Sequence, residues 1–273
     1  MGLFDKLFGN TDKKNEESNQ PQHTEDWDSY FSNVDNVIGS IMVDLGLNKV
    51  GPILSNPNVA WVSVTMQNPR EDGFSSNEEA NLLFDIEDNL ADNLAKKHQA
   101  IYAGRLTSNG KRTFYFYLGD TTLYDQMISE TMVQYPSYEY DYGTKEDKLW
   151  DGYFDFLYPL PDQFQMIMNA RVIRNLENSG DNLEAERMVD HWICFTNETD
   201  AKNYIAAIEK LNFKVLSENT RDDIASEFKY EINIGRVDKV DYDSVNEYVL
   251  DLWDLAQENN GLYDGWGCPI VKE

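Results

Sequence analysis

The sequence predicts an α+β protein of two α/β-sandwich domains with antiparallel sheets, the second of ferredoxin-like kind. Three observations carry this expectation. Short β-rich runs alternate with segments of helical periodicity along most of the 273 residues. An Asn-Gly pair, Asn109-Gly110, lies between two such runs, which is the pattern of a two-residue hairpin turn. Pro159 and Pro161 interrupt the pattern near its middle, where two close prolines forbid a continuous helix. The boundaries that follow are a flexible N-terminal segment at 1–26, a first domain at 27–158 and a second at 161–273.

In chain order, Leu3, Phe4, Leu7 and Phe8 alternate with charges over a stretch too short to hold an amphipathic helix alone, and 9–22 is a polar linker. Residues 37–45 and 59–66 read as strands joined by a turn containing Pro52, Asn56 and Pro57. Ser76 with Glu79 predicts a capping box, opening a helix whose Leu83, Ile86, Leu90 and Leu94 recur at helical spacing. Residues 100–106 and 112–118 are the arms of the hairpin. A short helix over about 121–133 leads to Tyr138, Tyr140 and Tyr142, which alternate as in a strand. The predicted order is β-β-α-β-β-α-β.

After Pro161, the pattern predicts a helix over 162–178, a strand over 188–195, a helix over 198–211, strands over 213–217 and 228–237, and a helix over 244–258. Ser244 and Glu247 suggest a capping box for the last helix, and Val245, Tyr248, Val249, Leu252 and Ala256 form its apolar face. The following stretch, Gly261-Leu262-Tyr263-Asp264-Gly265-Trp266-Gly267, breaks every regular pattern. Its glycines supply positive φ cheaply, so it is expected to form a packed corner that sets Tyr263 and Trp266 against a neighbouring surface. Helices on one sheet face in both domains suggest a duplicated architecture, although no sequence repeat is visible.

These residues also carry two family resemblances. With the Asp190-His191 pair and the Gly180-Asp181 step, the Tyr263-Asp264-Gly265-Trp266-Gly267 motif makes 162–271 resemble the regulator of ribonuclease E activity B (RraB) family. Its members are small acidic bacterial proteins that bind ribonuclease E and restrain it. The resemblance implies a ferredoxin-like fold and inhibition by protein contact remote from the nuclease's chemistry, so that no residue here need be reactive. Residues 27–158 are similar to domain-of-unknown-function family 695, through Ile41-Met42-Val43-Asp44-Leu45, Ile86-Glu87-Asp88, Gly104-Arg105 and the Phe-Tyr-Phe-Tyr run at 114–117. That likeness implies no known activity.

The formal net charge of -26 repels phosphate backbones and anionic lipid, so direct nucleic-acid binding is not expected. The acidic excess is shared, with 26 Asp and Glu against 12 Lys and Arg over 1–160, and 23 against 11 over 161–273. Such a surface suits a basic partner, though acidity also serves solubility alone. The two cysteines, Cys194 and Cys268, lack disulfide-framework or metal-ligand spacing. No apolar run reaches the ~20 residues of a membrane span, and no signal-peptide pattern opens the chain. A cytoplasmic location is expected.

Candidate chemistry is sparse. Of the three histidines, His23 falls in the linker, His98 ends a charged helix and His191 lies in a strand. Asp190 and His191 should point to opposite sheet faces, so a dyad would need a distant partner such as Asp264; a satisfied, partly buried histidine hydrogen-bonded to backbone is the simpler reading. Glu71-Asp72 reads as a turn and Glu87-Asp88 as solvated charge on the polar side of a helix. No catalytic, cofactor or metal residues are assigned. Tyrosine rows at 115 and 117 and at 138, 140 and 142 suit a cross-strand cluster or a protein-binding face better than RNA stacking, since Glu139 and Asp141 interleave one of them.

The expectation is therefore a non-enzymatic acidic regulator that binds and inhibits a ribonuclease, ribonuclease E-like, or another basic protein. Candidate contacts are Glu218, Asp222, Asp223 and Glu227 between strands and Asp251, Asp254 and Glu258 on the last helix. Asp190, His191, Tyr263, Asp264, Gly265, Trp266 and Gly267 are read as structural. The alternative is an enzyme or small-molecule binder that uses a cleft between the two domains. Oligomeric state is left open.

Overall fold

The computed structural model describes residues 22–220 and 227–272. The expectations for Met1 to Phe8 and most of the linker lie outside the described residues. The chain divides between Tyr158 and Pro159 into two units.

In the first unit, alternating side chains build strands β1 (Trp27–Val34), β2 (Val37–Asp44), β3 (Asn58–Thr65), β4 (Ile101–Ser108), β5 (Lys111–Leu118) and β6 (Tyr140–Glu146). Helix α1 (Asn77–His98) and helix α2 (Tyr124–Met132) complete it. All pairings are antiparallel, in the order β1-β2-β4-β5-β3-β6. Asn109 and Gly110 both take positive φ and close the β4-β5 hairpin as expected. Strand β1 was not anticipated. Asp35 and Asn36, at φ 52 and 64, make the same kind of two-residue turn and join it to β2.

One face of this sheet packs Val62, Val64, Phe114 and Phe116 against Leu83, Ile86, Leu90 and Leu94 of α1 and Met127, Ile128 and Met132 of α2. On strand β5, Tyr117 stacks on Trp150 with ring centroids 4.0 Å apart, and Tyr115 meets Phe156 edge-on at 5.7 Å. A single π-helical turn, Gly152–Leu157, follows Trp150. Its Tyr153 hydroxyl donates to the Asp44 carbonyl at 2.7 Å, and the Tyr30 hydroxyl donates to the Leu157 carbonyl at 3.0 Å. The Tyr115 and Tyr117 row is thus covered by the chain itself.

Neither expected capping box forms. Ser76 is the N-cap of α1 without a side-chain cap bond, because Glu79 turns instead to the backbone N–H groups of Gln67 and Asn68, at 2.7 and 2.9 Å. For the last helix the cap is Asp241, whose carboxylate accepts from the N–H groups of Asp243 and Ser244.

The second unit comprises α3 (Pro161–Asn178), β7 (Arg187–Phe195), α4 (Glu198–Ile208), β8 (Lys214–Thr220), β9 (Tyr230–Asp238), α5 (Tyr242–Glu258) and β10 (Gly261–Gly267). Its antiparallel sheet runs β10-β7-β9-β8. The expected corner at 261–267 is instead an edge strand. A bulge between Tyr263 and Gly265, with Gly265 at φ 140, lets a glycine-rich segment pair with β7. Gly261 is required by packing, since a Cβ there would lie 2.4 Å from Cε1 of Phe195. Val189, Ile193 and Phe195 of β7, Tyr204 and Ile208 of α4, and Val249 and Leu252 of α5 form the core.

The two units repeat one plan. In the second, β7-α4-β8-β9-α5-β10 places its strands in the order fourth, first, third, second, which is the ferredoxin-like arrangement. In the first, β3-α1-β4-β5-α2-β6 gives the same order, β6-β3-β5-β4. The first unit adds the β1-β2 hairpin beside β4, and the second adds α3. Among the described residues, no helix is long and apolar enough to cross a membrane.

Candidate functional site

Strand alternation sends His191 into the core of the second unit and Asp190 to the other face. His191 is fully buried, edge-on to Phe213 at 5.4 Å and to Tyr248 at 5.5 Å. Its Nδ1 shares a 2.7 Å hydrogen bond with the Tyr263 hydroxyl, while Asp264 is exposed. The ring is thus fully rather than partly buried, and its partner is the inward-pointing Tyr263 hydroxyl, neither backbone nor the Asp264 that a dyad would need. Burial, followed by the nearby Arg236 charge, pushes the imidazole down to about 3. A neutral ring sealed from solvent has no route for exchanging a proton with a substrate.

The rest of the motif fastens elements together. Trp266 is buried, and its indole N–H donates to Oδ1 of Asn169 on α3 at 3.1 Å. Gly180 takes positive φ just after α3, and the next residue, Asp181, forms a buried ion pair with Arg187 at the start of β7. Asp181 Oδ2 also accepts from the Val271 N–H at 2.8 Å.

The acidic candidates fall in two places. Glu218 is exposed on β8, an edge strand of the second sheet, and Glu227 is exposed shortly before β9. Asp251, Asp254 and Glu258 are exposed on α5, which packs against β10 at the opposite edge. Asp222 and Asp223 lie outside the described residues. Among the described residues, no group of three or more His, Cys, Asp or Glu is placed to hold a metal ion.

The first unit contains a charged cluster that the sequence reading missed. Glu87, expected to be solvated, is buried, and it binds the Arg105 guanidinium and accepts from the Tyr102 hydroxyl at 2.7 Å. Arg112 lies beside them, almost wholly buried. Its Nε donates to Thr107 Oγ1 at 3.2 Å and its Nη2 to Ser75 Oγ at 3.1 Å. Both guanidiniums lie over the Phe84 ring, at 5.0 and 5.1 Å. The signal was present in the spacing: Glu87 shares the stripe of Leu83, Leu90 and Leu94, and Arg112 alternates with the inward residues Phe114 and Phe116.

Two ferredoxin-like α+β units in tandem are the class that the fold defines. Comparison with known proteins makes it particular: residues 25–158 match the family of unknown function DUF695, and residues 166–268 match the family described as regulator of ribonuclease activity B. The chain thus joins an N-terminal segment similar to DUF695 to a C-terminal segment similar to the family described as regulator of ribonuclease activity B. None of the curated proteins matches it. A crystal structure of an unknown protein from Galdieria sulphuraria is similar at 10% identity, over 79% of this chain and 99% of that one. Its TM-score of 0.21 carries no argument.

Proposed function

We propose that this chain is a non-enzymatic regulator that binds and inhibits a ribonuclease, and that its second unit meets this or another basic partner through the acidic face of α5. The charge arrangement of that helix is the observation that supports the reading most. Its 17 residues include Asp243, Glu247, Asp251, Asp254 and Glu258, all exposed, and no Lys or Arg. Asp243, Glu247 and Asp251 recur at four-residue spacing, as do Asp254 and Glu258, and each like-charged pair costs a helix about 0.2–0.5 kcal/mol. Asp254 and Glu258 also place negative charge at the C-terminal end, against the helix dipole.

Solubility alone does not call for that arrangement, because mixed charges provide it without the repulsion. A basic surface docked on α5 relieves both penalties and accelerates encounter. The buried family motif then serves to hold α3, α5 and β10 together beneath the contact face. The test is direct binding of the purified ribonuclease E-like nuclease to the full chain and to the triple variant Asp251→Lys, Asp254→Lys, Glu258→Lys. The reading expects binding by the native chain and a loss of about tenfold or more in the variant. Equal affinity for both would remove α5 from the interface.

A further inference from the structure

We propose that the first unit carries a binding site for a small organic oxyanion, a phosphate or carboxylate borne on an apolar or planar group. The site is a cavity of about 420 Å³ lined by Phe31, Ser40, Phe74, Ser75, Arg105, Thr107 and Arg112, with Arg70 and Asp72 at its rim. That volume falls within the usual range for small-molecule pockets, roughly 300–1,000 Å³.

Sheet register builds its floor. Phe31 on β1 faces Ser40 on β2, Ser40 faces Thr107 on β4, and Thr107 faces Arg112 on β5, so four strands contribute one row of side chains. Phe31 and Ser40 come from the hairpin added to the ferredoxin-like plan. The addition therefore creates a wall that the second unit, with the same plan, lacks.

Hydrogen-bonding capacity then selects the ligand. Arg105 and Arg112 meet the buried carboxylate of Glu87, and a second buried carboxylate, Glu79, also acts on Arg112, so the cluster is balanced in charge but not in hydrogen bonds. At 3.9 Å from Glu87, Arg112 Nη1 is too far for a hydrogen bond, and it is buried with no other partner. Buried donors are almost always matched, and an orphan on a guanidinium costs more than a neutral one. The other two nitrogens of Arg112 are fixed by Thr107 and Ser75, so the group is held in place before any ligand arrives. An oxyanion supplies the missing acceptor, in the planar fork that guanidinium recognises. In agreement, burial and then the Arg105 charge hold the Arg112 guanidinium below its ordinary value, at about 10.

The mouth of the cavity favours an organic anion over a bare inorganic one. Phe31 is 67% exposed and meets Phe74 edge-on, with ring centroids 5.8 Å apart. A large exposed ring beside a polar cavity offers a stacking surface to whatever the oxyanion is attached to. At the rim, Arg70 pairs with Asp72, so the unmatched donor lies deeper, at Arg112.

The experiment is calorimetric titration of the full chain with phenyl phosphate, benzoate, inorganic phosphate and uncharged benzyl alcohol. The proposal expects phenyl phosphate or benzoate to bind at millimolar concentration or below, and benzyl alcohol not to bind. The stronger of the two anions identifies the oxyanion. Arg105→Gln should weaken binding about tenfold or more. Phe31→Ala, an exposed change that leaves the fold intact, should weaken phenyl phosphate or benzoate while leaving inorganic phosphate unchanged. Should Arg105→Gln fail to fold, the Phe31→Ala comparison decides alone. Failure of both ring-bearing anions to bind, equal binding of benzyl alcohol, or an unchanged affinity in Phe31→Ala would overturn the proposal. None of these outcomes bears on ribonuclease binding by the second unit.

Discussion

Trp266 and Asn169, 97 residues apart in sequence, are joined inside the second unit by a 3.1 Å hydrogen bond from the indole N–H to the amide oxygen. The same Asn169 donates to Asn246 on α5 at 3.0 Å and accepts from Gln165 at 3.1 Å. One wholly buried amide therefore ties α3, which lies outside the ferredoxin-like plan, to both α5 and the edge strand β10.

Removing either partner should destabilise the second unit by different amounts. Trp266→Ala empties a large buried site and should cost about 3–5 kcal/mol. Trp266→Phe keeps most of the packing, and Asn169→Leu strands the indole donor, so each should cost about 1–3 kcal/mol. Urea denaturation followed by circular dichroism measures all three. Unchanged midpoints would mean that the motif does not hold the unit together.

His191 predicts a pH dependence. Its folded value of about 3 lies below the ordinary 6.5, so between those values the unfolded chain binds a proton that the folded chain does not. Stability contributed by the neutral ring is complete above pH 6.5 and falls as the pH drops toward 3. Between pH 7 and 5 the loss should be on the order of 2 kcal/mol. His191→Gln removes the titration, so the gap in denaturation midpoint between the native chain and the variant should narrow over that interval. Parallel profiles would contradict the assignment.

We predict that the two units fold separately when divided after Tyr158. The first needs its chain up to that point, because Trp150, Tyr153 and Leu157 are fully buried in it. Fragment 1–158 should melt cooperatively and fragment 1–149 should aggregate, while 159–273 should melt as one transition. Aggregation of both 1–158 and 159–273 would show that the halves share a core.

The parts of the fold legible in the sequence were those with strong local signals. Asn109-Gly110 fixed a hairpin, and the Leu83-to-Leu94 spacing fixed a helix, because turn chemistry and amphipathicity are local properties. Asp35-Asn36 went unread because the pair lacks glycine, although the backbone takes positive φ at both residues. The segment 261–267 looked like a corner because glycines weaken a strand in isolation; only pairing with β7 stabilises one there. Glu79 illustrates the limit of capping rules, since a tertiary pair of backbone donors outcompetes the local cap. In the candidate sites, acidity was visible as composition, but the cluster of Glu87, Arg105 and Arg112 depends on strand register and a helix crossing.

If α5 steers a basic partner, the association rate should carry the salt dependence. Exposed pairs contribute only about 0–1 kcal/mol each, whereas the summed field acts across a Debye length of about 10 Å at 0.1 M salt. Stopped-flow association should slow steeply as salt is added at low ionic strength, with dissociation changing much less. Salt-indifferent association would reduce the acidic composition to a solubility device.

The most direct measurement is the rate at which the purified ribonuclease cleaves a labelled RNA as the full chain is titrated in. The account predicts a saturable fall in rate with the native chain, shifted about tenfold or more toward higher concentration by the Asp251→Lys, Asp254→Lys, Glu258→Lys variant. Cleavage that stays constant at saturating native chain, with the nuclease active on that RNA, would contradict it.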